Sequence, residues 1–269
     1  FFLAVGIFRP HLPWYAPQKY FDQYPLEDVK LPKVKEDDLA DVPAAGVKMA
    51  KPRRDHAKVL AHGQWEKAVQ AYLACITYTD GQIGRLLDAL DKSGYGKNTI
   101  IVMWADHGWH LGEEHHWRKF TLWEEAGRVP LVFVVPGLTK PGTNCSRTVS
   151  LLDIYPTLSD LCGLPIGKHL EGRSLKPLLE DPLTEWDRPV VTTHGRNNHS
   201  VRSERWRYIR YSDGSEELYD HDNDPMEWTN LAADAKLAAV RRRLAKWLPK
   251  VNAPMGTSVK IKKNKKKTP

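Results

Sequence analysis

Asp106-His107-Gly108 closes the run Thr99-Ile100-Ile101-Val102-Met103-Trp104-Ala105 and is the first place where chemistry can be read from residue types. A carboxylate beside an imidazole offers an anionic oxygen and a nitrogen lone pair, donors for a divalent cation such as calcium, or a zinc-like ion if more nitrogens join. The plainer alternative is that Asp106 caps a turn and His107 is a structural histidine. His11 and Lys119 are two further candidates. His11 lies in Arg9-Pro10-His11-Leu12-Pro13-Trp14-Tyr15-Ala16-Pro17, whose prolines exclude a helix interior or a central strand. Lys119 lies in His115-His116-Trp117-Arg118-Lys119-Phe120. Each has a plain reading: loop packing for His11, a solvated charge for Lys119, an exposed polar loop for the histidines. Their common placement after apolar runs makes them a constellation.

The elements that must position these groups follow from periodicity. The β-branched run before Asp106 lacks polar alternation and predicts a strand buried on both faces of a parallel sheet. Ligands in open α/β sheets gather at the carboxyl ends of such strands, and Gly108 would let the chain turn away. Phe1 to Gly6 reads as an opening strand, followed by the proline loop, and residues 25–56 read as a long charged connection punctuated by proline. Val69, Tyr72, Leu73, Ile76, Ile83, Leu86, Leu87 and Leu90 fall mostly three or four apart and predict a helix over 65–90. A second strand is expected at 129–135, and a helix starts near Asp153, with Pro156 in its first turn and Gly163 after its end. Beyond Pro177 short alternating segments appear at 189–193, 200–202, 206–211 and 217–219, with Asp213-Gly214 as a hairpin signal. A terminal helix is expected over 231–248. The fold class is therefore α/β, with a mostly parallel sheet over residues 1–185. A small antiparallel sheet with a helix follows at 186–252, and a disordered Lys-rich tail at 253–269.

Composition narrows the classes of partner. Ten tryptophans and 41% hydrophobic residues in 269 indicate a real core, and no apolar run is long enough to span a membrane as a helix. The net charge of +7 raises a nucleic-acid partner. However, six lysines fall within the last ten residues and the remainder is close to neutral, so no nucleic-acid partner is expected. Cys75, Cys145 and Cys162 are scattered, which excludes a zinc ribbon or a disulfide scaffold.

Several segments in order together resemble the sulfatase family of the alkaline-phosphatase-like superfamily, nearest in texture to iduronate-2-sulfatase and choline-sulfatase-like members. They are Phe2-Leu3-Ala4-Val5-Gly6 with Pro10-His11-Leu12-Pro13, Thr79-Asp80-Gly81-Gln82-Ile83-Gly84-Arg85-Leu86-Leu87, Asp106 through Glu113, and Trp117-Arg118-Lys119. Val129-Pro130-Leu131, Asp153 through Leu158, Glu217-Leu218-Tyr219-Asp220 and Asp224-Pro225 complete the set. The resemblance implies an alkaline-phosphatase-like sandwich. It implies that Asp106 and His107 ligate a divalent cation, usually calcium, and that His11 contacts the sulfate and protonates the leaving oxygen. It further implies that Lys119 binds a sulfate oxygen and that Trp109 borders the substrate, although packing explains Trp109 and Trp117 as well.

One departure matters. The family's nucleophile is a formylglycine made within a Cys/Ser-x-Pro-Ser/Thr-x-Arg motif, and none of the three cysteines has that context. The paired aspartates that complete the metal site are also missing. The expectation is a sulfatase lacking its amino-terminal half, inactive as these 269 residues alone. The intact enzyme would use formylglycine to attack sulfur in a sulfated small molecule or glycan. It would be periplasmic or secreted. Two alternatives stand beside it: a phosphatase or phosphonate hydrolase of the same superfamily, and a non-catalytic polyanion- or carbohydrate-binding module.

Overall fold

The computed structural model describes residues 1–254. Its longest element is the helix that the periodicity of residues 65–90 demands. In chain order the elements are α1 (Gln18–Phe21), α2 (Ala44–Ala50), α3 (Asp55–Ala61), α4 (Trp65–Lys92), β1 (Ile101–Trp104), β2 (His110–Leu111), β3 (Trp117–Arg118), α5 (Glu124–Gly127), β4 (Leu131–Val134), α6 (Ile154–Leu161) and α7 (Lys176–Glu180). There follow β5 (Val190–Thr193), β6 (His199–Arg202), β7 (Trp206–Arg210), β8 (Glu216–Asp220) and α8 (Ala238–Ala245). Helix α4 is about 42 Å long at 1.5 Å per residue, and it buries Val69, Ala74 and Cys75. Ser93 accepts no further turn: its hydroxyl donates to the Leu90 carbonyl, and Gly94 then takes a left-handed φ of 79° that ends the helix ahead of β1.

Strand β1 pairs with β4, and the pairing is antiparallel, with Val102 opposite Phe133. The mostly parallel sheet expected here is not seen among the described residues, where every strand pair is antiparallel. Burial on both faces is not met either, since Trp104 is 49% exposed and Val134 45%. With one partner and one covered face, the period of two decides exposure. Leu131 and Phe133 pack on Leu175, Leu178 and Trp186 while Val132 and Val134 face solvent. The opening strand expected over Phe1–Gly6 is instead exposed coil, Phe2 being 87% exposed. An apolar run becomes a strand only where a neighbour takes its N–H and C=O groups.

The doubly covered sheet is the C-terminal one, ordered β5-β6-β7-β8 and antiparallel throughout. Val201, Trp206, Tyr208 and Leu218 lie on one face with Leu244 of α8. Ile209, Tyr211 and Tyr219 lie on the other, against Ala50, Leu122 and Trp123. The Asp213-Gly214 turn joins β7 to β8, with Gly214 at φ 87°. Helix α8 is shorter than the 231–248 expected, because residues 235–237 form a 3-10 turn before it.

Residues 25–56 are not a bare connection: they contain α2, part of α3 and a 3-10 turn at Leu26–Asp28. Helix α2 lies so close to the sheet that a Cβ on Gly46 would sit 2.6 Å from the Glu217 carboxylate and 2.8 Å from the Tyr211 hydroxyl. Among the described residues no helix is long and apolar enough to cross a membrane. Most of the tail, residues 255–269, lies outside the described residues.

Candidate metal and anion site at the end of β1

Trp109 is the hub that brings distant segments together. Its indole meets the His11 ring edge-on at 5.8 Å, stacks with His107 at 6.3 Å and with Tyr72 of α4 at 6.1 Å, and touches Trp14 at 6.3 Å. Trp14 in turn packs on Tyr72 and Trp117 and donates its indole N–H to the Pro10 carbonyl at 2.9 Å. Thr79 of α4 donates to the Arg9 carbonyl at 3.2 Å. Aromatic pairs of this kind contribute about 0.5–1.5 kcal/mol each beyond their buried area. The proline loop is therefore held to α4 and to the turn after β1, and His11 and His107 share Trp109 as a neighbour.

The two imidazoles are held in the same way. His11 donates from Nδ1 to the Leu12 carbonyl at 2.6 Å, and His107 donates from Nδ1 to the Gly108 carbonyl at 2.8 Å. Each backbone bond fixes the tautomer and leaves Nε2 free. His107 Nε2 lies 3.5 Å from an Asp106 carboxylate oxygen. With Nδ1 tied to backbone, Nε2 and the carboxylate oxygen are placed to share one cation. The Asp106 side chain is 85% exposed and that of His107 26%. This donor set fits a divalent cation.

Gly108 is required by space, not by turn geometry, for its φ is not in the left-handed region. A Cβ there would drive into the Glu125 carbonyl oxygen and lie 2.9 Å from that of Arg128, while its own N–H donates to the Ala126 carbonyl at 2.9 Å. The turn after β1 is thus clamped against α5.

Lys119 is not brought into this group by any contact. Its ammonium sits 5.5 Å from the Phe120 ring centroid, and Phe120 reaches His194 at 5.6 Å. Among the described residues it makes no ion pair. The preceding Arg118 adopts a left-handed φ of 82° and pairs with Asp55 at 2.9 Å.

The histidine run is not an exposed polar loop. His110, Glu114 and His116 are buried, at 0%, 2% and 6% exposure. His116 donates from Nδ1 to the Ala50 carbonyl at 2.6 Å, and burial together with His110 holds its pKa down at about 3. Burial holds His110 down at about 4, although Glu113 and Glu227 pull the other way. Beside them runs a charged seam. Arg207, fully buried, donates to Glu227 and Glu124, to the Ser200 hydroxyl at 2.7 Å and to the Leu122 carbonyl at 3.0 Å. Arg202 adds a 3.0 Å bond to Glu124, and His221 one of 2.7 Å to Glu227. Burial raises the Glu124 carboxyl, but Arg207 and Arg202 overcome it and bring it to about 2. Glu124, His221 and Glu227 are close enough to ligate a metal, yet the guanidinium already supplies their cation. Residue spacing gave no sign of this seam.

The comparisons with known proteins match this layout. The Sulfatase family model matches residues 1–164, and the model of the N-sulphoglucosamine sulphohydrolase C-terminal region matches residues 112–253. A sulfatase from Formosa agariphila is 45% identical over 257 residues, covering 94% of this chain and 50% of its own. Among solved structures, the phosphonate monoester hydrolase of Silicibacter pomeroyi superposes with a TM-score of 0.76 at 26% identity, covering 88% of this chain and 53% of its own. BT4656, solved in complex with its substrate D-glucosamine-2-N,6-O-disulfate, superposes with a TM-score of 0.63 at 26% identity, covering 88% and 62%. These likenesses indicate an α/β fold of the alkaline-phosphatase-like kind. The chain spans about half the length of the curated relatives it matches. With the family model covering well over half of its residues, the chain belongs to the sulfatase family.

Proposed function

We propose that this chain forms the leaving-group and metal side of a sulfuric ester hydrolase acting on a sulfated small molecule or glycan. The observation that carries the reading is the pair of imidazoles, from segments far apart in sequence, that both pack on Trp109 with Nδ1 tied to backbone, which leaves each Nε2 clear of the main chain. Asp106 and His107 would hold a divalent cation, expected to be calcium, which supplies a Lewis-acid centre for a sulfate oxygen. His11, protonated at Nε2, donates that proton to the departing alcohol oxygen. Lys119 offsets charge on the sulfate as the ester bond breaks, and the indole of Trp109 borders the bound ester. The nucleophile, a formylglycine in this reading, is assigned to residues outside these 269, because no Cys/Ser-x-Pro-Ser/Thr-x-Arg motif is present. The open edge of β1 is where the parallel strands of the expected sandwich would add. The C-terminal unit from about residue 186 is read as shaping the substrate pocket, through the loop around His194. A periplasmic or secreted location accompanies the reading.

A sulfated carbohydrate is favoured as substrate by the likeness to BT4656, whose substrate is a glucosamine disulfate. The likeness to the phosphonate monoester hydrolase favours a second reading, in which the same cationic face receives a phosphonate ester. Turnover by the intact protein of matched aryl sulfate and aryl phosphonate monoesters separates the two. Preference for the sulfate is expected, and preference for the phosphonate selects the second reading. His11→Gln should lower kcat by about 10²–10⁴-fold, most for poor leaving groups. Unchanged kcat across leaving groups would remove His11 from the reaction. The 269 residues alone should give no turnover of either ester.

A further inference from the structure

Behind the exposed turn, three side chains gather. His110, Glu114 and Glu125 each bring one ligand atom within 4.8 Å of the others, and His110 Nδ1, Glu114 Oε2 and Glu125 Oε2 are buried without a hydrogen-bond partner among the described residues. His110 Nδ1 and Glu114 Oε2 are 2.8 Å apart, yet the carboxylate lies off the direction an N–H would take, so no hydrogen bond forms. The opposite ring nitrogen, Nε2, is 2.7 Å from the Thr121 hydroxyl. With Nε2 donating to Thr121, Nδ1 keeps a lone pair that neither carboxylate takes up, and an outer partner on the opposite ring nitrogen is the arrangement that orients a metal-ligating histidine.

Leaving such atoms unpaired in a dry interior costs about 1–3 kcal/mol each, and more when charged. A single shared proton can join only two of them. A dication joins all three and cancels both carboxylate charges. Among the described residues, the Arg207 guanidinium is already taken by Glu124 and Glu227. One imidazole and two carboxylates match zinc, which binds nitrogen and oxygen donors at about 2.0–2.2 Å and is content with four ligands. Calcium asks for six to eight oxygens.

We propose that His110, Glu114 and Glu125 form a second divalent-cation site, of the zinc class, separate from Asp106 and His107 and serving to fix the 108–125 loop. In support, burial and the neighbouring Glu114 and Glu227 push the Glu125 carboxyl up to about 9, and Glu114 is likewise pushed well above the carboxylate range. That marks a pocket short of positive charge. The proposal is independent of the reaction assigned to the protein.

The test uses the intact protein carrying Asp106→Asn, which weakens the exposed site, stripped with chelator and titrated with Zn²⁺. One equivalent is expected to bind and to raise the melting temperature. Adding Glu125→Gln should weaken that binding at least tenfold. Equal affinity with and without Glu125→Gln, or no binding by an Asp106→Asn protein of native circular dichroism, overturns the proposal and assigns the cluster to protons. Should Glu125→Gln fail to fold, Co²⁺ loaded into Asp106→Asn decides. A visible absorption band that shifts in the Thr121→Val variant supports ligation by His110, and a spectrum no different from free Co²⁺ contradicts it.

Discussion

The turn after β1 and the charged seam around Arg207 both gather ionisable side chains, but they are finished in opposite ways. Asp106 is largely in solvent, and His107 beside it and His11 across Trp109's contacts each use only Nδ1 on the backbone. Arg207 and Glu227 are buried, Glu124 is half-buried, and Arg207 links the two carboxylates. The first arrangement leaves binding capacity for a ligand. The second uses it up to hold the turn and α5 against the C-terminal sheet. The same chemistry thus divides into substrate contact and scaffold according to burial, since an unpaired charge is tolerable only where water reaches it.

The sharpest way to break this contrast is to remove the seam's guanidinium. Arg207→Met leaves Glu227 buried with only His221 and Glu124 with only Arg202, and is expected to cost about 3–5 kcal/mol, read from urea unfolding midpoints. A loss under 1 kcal/mol would show that the seam is not the scaffold described. Gly108→Ala should cost less, about 1–3 kcal/mol from overpacking against the Glu125 and Arg128 carbonyls. It should nevertheless lower turnover by about a hundredfold, because the turn that presents Asp106 and His107 must shift. Normal stability together with normal turnover would mean that the clamp yields freely.

The smallest effect is a pH slope. Burial holds His116 at about 3 in the folded protein, against an ordinary value near 6.5 when unfolded. Between those values the unfolded chain binds a proton that the folded chain refuses. This group's contribution is therefore intact above about pH 6.5 and falls as pH drops toward 3, by about 1.4 kcal/mol per pH unit at most. His116→Asn should flatten the acid limb of a stability–pH curve by about that slope. An unchanged limb would place the imidazole in contact with water.

Much of this was legible in the sequence for a physical reason. The stripe from Val69 to Leu90 can be read only at a helical period, and Asp213-Gly214 between alternating segments has one favoured turn. Asp106, His107 and His11 were found because prolines, glycines and a strand end mark them. Other features had no local signal. Helix α2 is built from Ala44, Ala45, Gly46, Val47 and Met49, small residues whose value lies in letting it approach Glu217 and Tyr211. The direction of β1 depends on its partner, which no property of residues 99–105 specifies. The cluster of His110, Glu114 and Glu125 depends on a backbone that turns left-handed at Glu114 and His115, so spacings of four and eleven residues carried no recognisable period.

The most direct test of the division between contact and scaffold is Asp106→Asn in the intact protein, with kcat/KM for an aryl sulfate and the melting temperature measured on the same preparation. Turnover should fall by about a thousandfold, as loss of metal-held charge stabilisation entails, while the melting temperature in the absence of added metal stays within about 2 °C of the parent, as for an exposed side chain. Undiminished turnover, or a melting temperature lowered as far as that of Arg207→Met, would contradict it.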